Sequence, residues 1–278
     1  MDVKLIEEIK EHKNEYDALE TIYIGGGTPS SLSKQDLINL LSTIENVIPL
    51  HQITEYTIEC NPEDIDEAFI HIIKKYGVDR VSLGVQSFNN DTLKSMNRAH
   101  DKDTAIQAVR LLKQNGLTNI NIDIMFAYPN QTLEEVMGNL SMDFSLEIPH
   151  LSIYSLILEE KSVLHHLIET NKERIQDEDL EALMYNKIRM ACKLNGFNHY
   201  EISNFAKEGY ESKHNNLYWQ DNDYLGLGVG AHSYINGHRY YHTVNVTEYI
   251  HCNRFNDVVY KEEAHPLNDA CMMGLRRL

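Results

Sequence analysis

Short apolar runs alternate with longer amphipathic stretches along the chain. TIYIGG, YTIECNP, RVSLGVQS, NINIDIMF, HLSIYSL and HYEISNF are brief, rich in β-branched residues and bounded by polar or glycine-containing segments. Runs of this kind suit strands buried on both faces of a parallel sheet. SKQDLINLLSTIENVI and TLEEVMGNLSMDFSL between them show helical periodicity. Ser33 with Asp36, and Thr132 with Glu135, stand at capping-box spacing where each helix should begin.

Helices pass into strands through a repeated order of glycine, apolar residue, two polar residues and strand, in KYGVDRVSLGV, QNGLTNINIDI and LNGFNHYEISN. Gly77 and Gly116 lie 39 residues apart and Gly116 and Gly196 80 apart, so the second interval holds two units. LEIPHLSIYSL supplies the middle unit without its glycine. Glycine just past a helix end takes the left-handed conformation at low steric cost, which accounts for its place at these junctions. Recurring βα units imply either an open doubly wound sheet or a (β/α) barrel.

Polar residues at the strand ends bear on that choice. Thr28, Glu59, Asn61, Gln86, Ser87, Asp123, Tyr154, Glu201, Ser203 and Asn204 close successive strands. Such a ring is how barrel enzymes assemble a site, whereas any one of these residues taken singly reads as a loop or surface residue. The first strand runs into Gly25, Gly26 and Gly27, where residues without Cβ atoms would let main-chain N–H groups approach a ligand; a packing-glycine cluster is the plain alternative. Carboxylates such as Glu59 and Asp123 inside apolar strands call for a hydroxyl or cation partner.

The 278 residues are 42% apolar and 24% charged, ordinary for a globular chain able to bury a sizeable core. The net charge of −17, with no Lys/Arg-rich run, argues against a nucleic-acid partner. The sequence shows no apolar run long enough to span a membrane and no signal peptide, so a cytoplasmic, reducing environment is expected. Cys60, Cys192, Cys252 and Cys271 are spaced 132, 60 and 19 residues apart, which excludes a local metal-ligand cluster.

From about residue 205 the periodicity lapses and the chain becomes dense in Tyr, His and Gly. Gly226, Gly228 and Gly230 resemble a nucleotide loop only superficially, since no helix follows, and they read as turns. His199, His214, His232, His238, His242 and His251 crowd this third of the chain. A lone histidine is more often a core or surface residue than a ligand, yet an axial heme contact needs only one imidazole and aromatic walls.

The segments YIGGGTPSSL, TIECNPED, RVSLGVQSFNNDTLKSMNRAH, NINIDIMFAYPNQT, HYEISNFAKEGYESKHNNLYW and YLGLGVGAHSYING, in this order, resemble the HemW-like heme chaperones. These are kin to the oxygen-independent coproporphyrinogen III dehydrogenases within the radical S-adenosylmethionine superfamily. The resemblance implies an α/β fold: an incomplete (β/α) barrel with parallel strands over 1–204, and a Tyr/His/Gly-rich, incomplete C-terminal segment over 205–278.

It further implies S-adenosylmethionine contacts at Gly26, Gly27, Thr28, Glu59, Gln86, Arg98 and Asp123. HNNLYW matches the family's H-N-x-x-Y-W motif, which makes His214 the expected axial heme ligand, Tyr218 and Trp219 its flanking aromatics, and His232 the next candidate. A heme-accepting protein would be the partner. The family's C-x3-C-x2-C loop, whose thiolates hold a [4Fe-4S] cluster, has no counterpart here, so this chain is expected not to ligate the cluster and radical catalysis by it alone is not expected. The first strand would then be an unpaired edge open to strand exchange or a homodimer. Heme chaperone is the leading function and radical decarboxylation of coproporphyrinogen III the alternative; a remnant without useful binding is the third.

Overall fold

The computed structural model describes residues 2–262 except 159, 161, 171 and 221. In chain order the elements are α1 (Asp2–Glu11), β1 (Thr21–Ile24), α2 (Lys34–Val47), β2 (Glu55–Cys60), α3 (Glu67–Lys75), β3 (Arg80–Gln86), α4 (Asn90–Ser95), α5 (Lys102–Gln114), β4 (Asn119–Phe126), α6 (Leu133–Ser145) and β5 (His150–Ser155). Then follow α7 (Val163–Glu169), α8 (Glu178–Leu194), β6 (Asn198–Glu201), β7 (Asn204–Ala206), α9 (Lys213–Trp219), β8 (His232–Ile235), β9 (His238–His242), α10 (Val246–His251) and β10 (Val259–Lys261). Among the described residues no helix is long and apolar enough to cross a membrane.

The strands lie in the order β1-β2-β3-β4-β5-β7-β6, parallel from β3 to β5 and between β1 and β2. The expected α/β barrel architecture of mostly parallel strands is therefore what the chain adopts. One expectation needs correction: HYEISNF is not a single parallel strand but the hairpin β6–β7, with β7 antiparallel to β5. The cause is local. The buried Glu201 carboxylate accepts from the Ser203 amide and the Asn204 side chain, folding the chain back on itself.

Two compact units divide the chain. The first comprises 1–58, 68–79 and 212–278. There α1 and α2 pack together, Leu37, Leu41, Phe69 and Ile73 are fully buried, and β10-β9-β8 form an antiparallel sheet beside a small cluster of Tyr249, Phe255 and Val258. Glu8 of α1 ties this unit together: its buried carboxylate accepts from the Gly228 amide (2.9 Å), the Tyr249 hydroxyl (2.6 Å) and His242 Nε2 (2.6 Å). His242 is thus a core histidine. Gly228 lies in a bend and Gly230 in a turn, as expected, with φ of 102° and 70°, whereas Gly226 lies in neither; β8 follows them.

The second unit, 59–67 and 80–211, holds β3 to β7 with α5, α6 and α8. Its core alternates along the strands, with Leu83, Val85, Ile122, Ile124, Leu151 and Ile153 buried. Both expected helix caps form: Ser33 Oγ accepts from the Asp36 amide at 3.1 Å, and Thr132 Oγ1 from the Glu135 amide at 3.2 Å. Gly77, Gly116 and Gly196 all have φ near +80°. The unit that lacks a glycine uses Glu147 at φ 52° instead.

Candidate functional site

In the second unit Glu59 and Asn61 stand at the C-terminal end of β2, Gln86 ends β3 and Asp123 lies within β4. A register shift between Leu83 and Gln86 bulges β3, and Gln86 takes a left-handed φ of 69°. Bulges and positive-φ residues beside a strand end re-aim side chains, at a conformational cost the surroundings must hold. Gln86 Oε1 accepts from the Tyr154 hydroxyl at 2.6 Å. Arg98 reaches back over the bulge: one terminal nitrogen donates to Asn61 Oδ1 (2.9 Å) and to the Gly84 carbonyl (2.7 Å). Gly84 admits this, since a Cβ there would stand 3.3 Å from that guanidinium nitrogen.

Arg98 Nε is buried with no hydrogen-bond partner among the described residues. A buried N–H left over in this way fits an acceptor supplied by a ligand. Half-buried Asp123 accepts from Asn121 Nδ2 at 2.7 Å, and desolvation, with Glu59 adding to it, pushes its carboxyl up to about 6. Asn121 in turn accepts from His150 Nδ1 (2.6 Å) and Ser152 Oγ (3.1 Å). Burial first, then Asp123 and Glu59, raises the Tyr154 hydroxyl, which places Glu59, Gln86, Arg98, Asp123 and Tyr154 within one another's fields. Two carboxylates, a guanidinium with a spare donor and a phenol can engage hydroxyls and a charged amino-acid moiety.

The glycine loop belongs to the first unit. Gly25, Gly26 and Gly27 are exposed, Gly26 at φ 81°, and Thr28 is left-handed at φ 54°. A Cβ built on Gly26 or Gly27 meets no atom within 4 Å, so packing within the chain does not itself require glycine there. Only Gly26 needs glycine for its own backbone; the loop is open, as a ligand-facing segment would be.

A second constellation lies wholly in the first unit. Register pairs Thr21 of β1 with Glu55 of β2, and both hold α9. Glu55 accepts from the Lys213 amide (2.9 Å), the His214 amide (3.0 Å) and Ser212 Oγ (3.1 Å), giving a carboxylate cap to the start of the helix. Thr21 Oγ1 lies 2.7 Å from His214 Nδ1, and the Tyr218 hydroxyl 2.9 Å from His214 Nε2. The imidazole stacks on Tyr23 at 5.1 Å between centroids, meets Tyr218 edge-on at 5.0 Å, and Tyr218 meets Tyr224 edge-on at 4.5 Å.

These rings border a cavity of about 720 Å³, to which Ile22, Leu40, Ile44, Leu217 and His232 also contribute. Trp219 is half-buried but not part of that lining. The volume and the apolar and aromatic walls suit a flat hydrophobic ligand such as a porphyrin. Thr21, Tyr23, Glu55 and Tyr224 carried no functional signal in the sequence; only the strand register brings them to α9.

The residues do not fit a [4Fe-4S] cluster: no group of three or more His, Cys, Asp or Glu side chains among the described residues could hold a metal ion. Cys60 and Cys192 are buried, Cys252 is half-exposed, and Cys271 lies outside the described residues.

Residues 2–142 match the family model of the radical SAM superfamily. The heme chaperone HemW of Lactococcus lactis is 40% identical over 277 residues, covering 98% of this chain and 72% of that protein. HemW of Bacillus subtilis is 41% identical over 229 residues, 82% of this chain and 60% of that protein. Coproporphyrinogen III oxidase (HemN) from Escherichia coli superposes with a TM-score of 0.80 at 19% identity, covering 98% of this chain and 66% of that one, a likeness of fold. The chain therefore spans only part of the length of its relatives. It belongs to the radical SAM superfamily and, within it, to the HemW family.

Proposed function

We propose that the chain is a HemW-type, cytoplasmic heme chaperone: it binds heme in the first-unit cavity, binds S-adenosylmethionine as a ligand, and passes heme to an acceptor protein. The observation that carries the reading is the cavity, with its walls of Tyr23, His214, Tyr218 and Tyr224. Its lining includes Leu5, Ile9, Ile22, Leu40, Ile44 and Leu217, which suits the apolar face of the macrocycle. Titration of the purified chain with hemin is expected to give a saturable Soret shift at one heme per chain. Loss of that heme to an apo-hemoprotein should then be faster than release into buffer. A Soret band indistinguishable from free hemin overturns the reading.

For S-adenosylmethionine we assign Glu59, Gln86, Arg98 and Asp123, all in the second unit. Arg98→Ala is expected to weaken binding by roughly 10- to 100-fold, as loss of a charged contact does. Asp123 is a charge-assisted acceptor only when ionised, so affinity should decline as the pH falls through about 6, and Asp123→Asn should flatten that profile. Isothermal titration across pH distinguishes these outcomes, and an unchanged affinity in Arg98→Ala removes that residue from the site.

The likeness of fold to HemN favours a second reading, radical decarboxylation of a porphyrinogen. The chaperone reading stands first because the identity to HemW is 40% over 98% of the chain, against 19% to HemN.

A further inference from the structure

We propose that His150 is a positioning residue for the S-adenosylmethionine site: as the Nδ1–H tautomer it turns the Asn121 amide so that Nδ2 donates to Asp123, and the Tyr200 hydroxyl fixes that tautomer from the far side. The proposal rests on the assignment of Asp123 to that site. Asn121 and Asp123 stand two positions apart on β4 and so share a face, and strand register sets His150 of β5 opposite Asn121. All four residues belong to the second unit.

The carboxylate dictates the direction of each hydrogen bond. An ionised Asp123 can only accept, so the group that Asn121 presents to it at 2.7 Å is the amide nitrogen, which also donates to Ser82 Oγ at 2.8 Å. The reverse orientation would bring two acceptor oxygens together. Asn121 Oδ1 therefore faces His150 Nδ1 at 2.6 Å, and since an amide oxygen only accepts, the ring proton sits on Nδ1. Nε2 is left as an acceptor, and the Tyr200 hydroxyl donates to it at 2.8 Å. Tyr200, His150, Asn121 and Asp123 thus form one ordered path, each donating to the next.

The surroundings hold that order. His150 and Asn121 are 0% and 1% exposed, so neither can exchange its partner for water. Burial first, then the Arg80 guanidinium, holds His150 well below the usual imidazole range, which keeps the ring neutral. Around Asp123, burial pushes the carboxyl up to about 6 and the Asn121 bond is the largest influence opposing it; Glu59 adds to the rise, while Arg80 and Ser152 act against it. The Tyr154 hydroxyl also faces this charge. An Asn121 free to turn would leave Asp123 protonated to a higher pH, and the site would lose its charged acceptor over that interval.

The test uses the whole chain without ligand, read by NMR of the histidine ring nitrogens and the aspartate carboxyl carbons, followed by titration with S-adenosylmethionine across pH. In the wild type the His150 proton is expected on Nδ1, with no titration of that ring from pH 5 to pH 8. A proton on Nε2 overturns the proposal, and this reading needs no variant to fold. His150→Leu should raise the Asp123 midpoint by about half to one pH unit, the equivalent of one hydrogen bond, and move the pH profile of S-adenosylmethionine affinity by the same interval. His150→Asn, whose amide nitrogen can take the place of Nδ1, should restore both, a rescue that a purely structural role would not show. An Asp123 midpoint unmoved in His150→Leu, or moved equally in His150→Asn, also overturns it. If the midpoint shifts and is rescued while no protein binds S-adenosylmethionine, the ligand assignment fails and the path from His150 to Asp123 stands.

Discussion

Asp143 shows what a single residue can cost the fold. It lies on the buried side of α6, and neither carboxyl oxygen has a hydrogen-bond partner among the described residues. Desolvation drives its pKa well above the usual carboxylate range, and with burial it also helps push the nearby Cys192 thiol up to about 12. Because the folded-state value is raised, the stability linked to the proton is complete below the unfolded pKa of about 3.9 and is lost as pH rises towards the folded value. Asp143→Leu removes both the orphaned carboxyl and this slope. Thermal unfolding should show a variant more stable by about 1–3 kcal/mol at neutral pH, with an advantage that widens from pH 5 to pH 7. An equal offset at both pH values would mean the carboxyl finds a partner in solution. Candidate residues could be picked out at this scale by their place on the strands, Gln86 at the end of β3 and Asp123 within β4. The state of His214 was not: its threonine partner lies 193 positions away, and no local pattern encodes a contact set by strand register.

At the scale of elements, α9 depends on a side chain outside itself. Glu55 accepts two of the helix's first amides and the Ser212 hydroxyl, from 157 positions upstream of that serine. Glu55→Gln keeps one acceptor but loses the charge, and with it roughly 1–3 kcal/mol of support for the helix start. The expected outcome is a lower unfolding temperature together with altered Tyr218 ring signals in NMR, since Tyr218 ends the hydrogen-bonded path from Glu55 through His214. A fall in unfolding temperature with those signals unchanged would place the cost elsewhere. Most strands and helices could be read from the chain because their signals are local: buried β-branched runs, serine and threonine caps, glycine past the helix end. Glu147 departed from this rule by taking the left-handed position without being glycine. The β6–β7 hairpin departed because its turn is made by a buried carboxylate, where no glycine or proline marks the fold-back. Polar residues at 201–204 read equally well as a strand end.

Across the whole molecule, the two proposed ligands draw on different parts of the chain. The cavity residues belong to 1–58 and 212–262, while Glu59, Gln86, Arg98 and Asp123 belong to the other compact unit. A ligand that binds only the folded state stabilises it by about 2.7 kcal/mol at one hundred times its dissociation constant, and that stabilisation slows amide exchange first where the ligand sits. Hydrogen exchange read by mass spectrometry should therefore give separable footprints. Hemin is expected to protect peptides covering 213–224 and 226–242, together with β1. S-adenosylmethionine should protect 80–98 and 119–126. If either ligand protects the other's peptides to the same degree, the sites are one, and a chain that carries heme without consuming S-adenosylmethionine loses its structural basis. If the footprints stay apart yet each ligand alters the other's affinity, the coupling must act in both directions by the same factor, as linkage requires. S-adenosylmethionine would then set how tightly heme is held, and so when it is released to an acceptor.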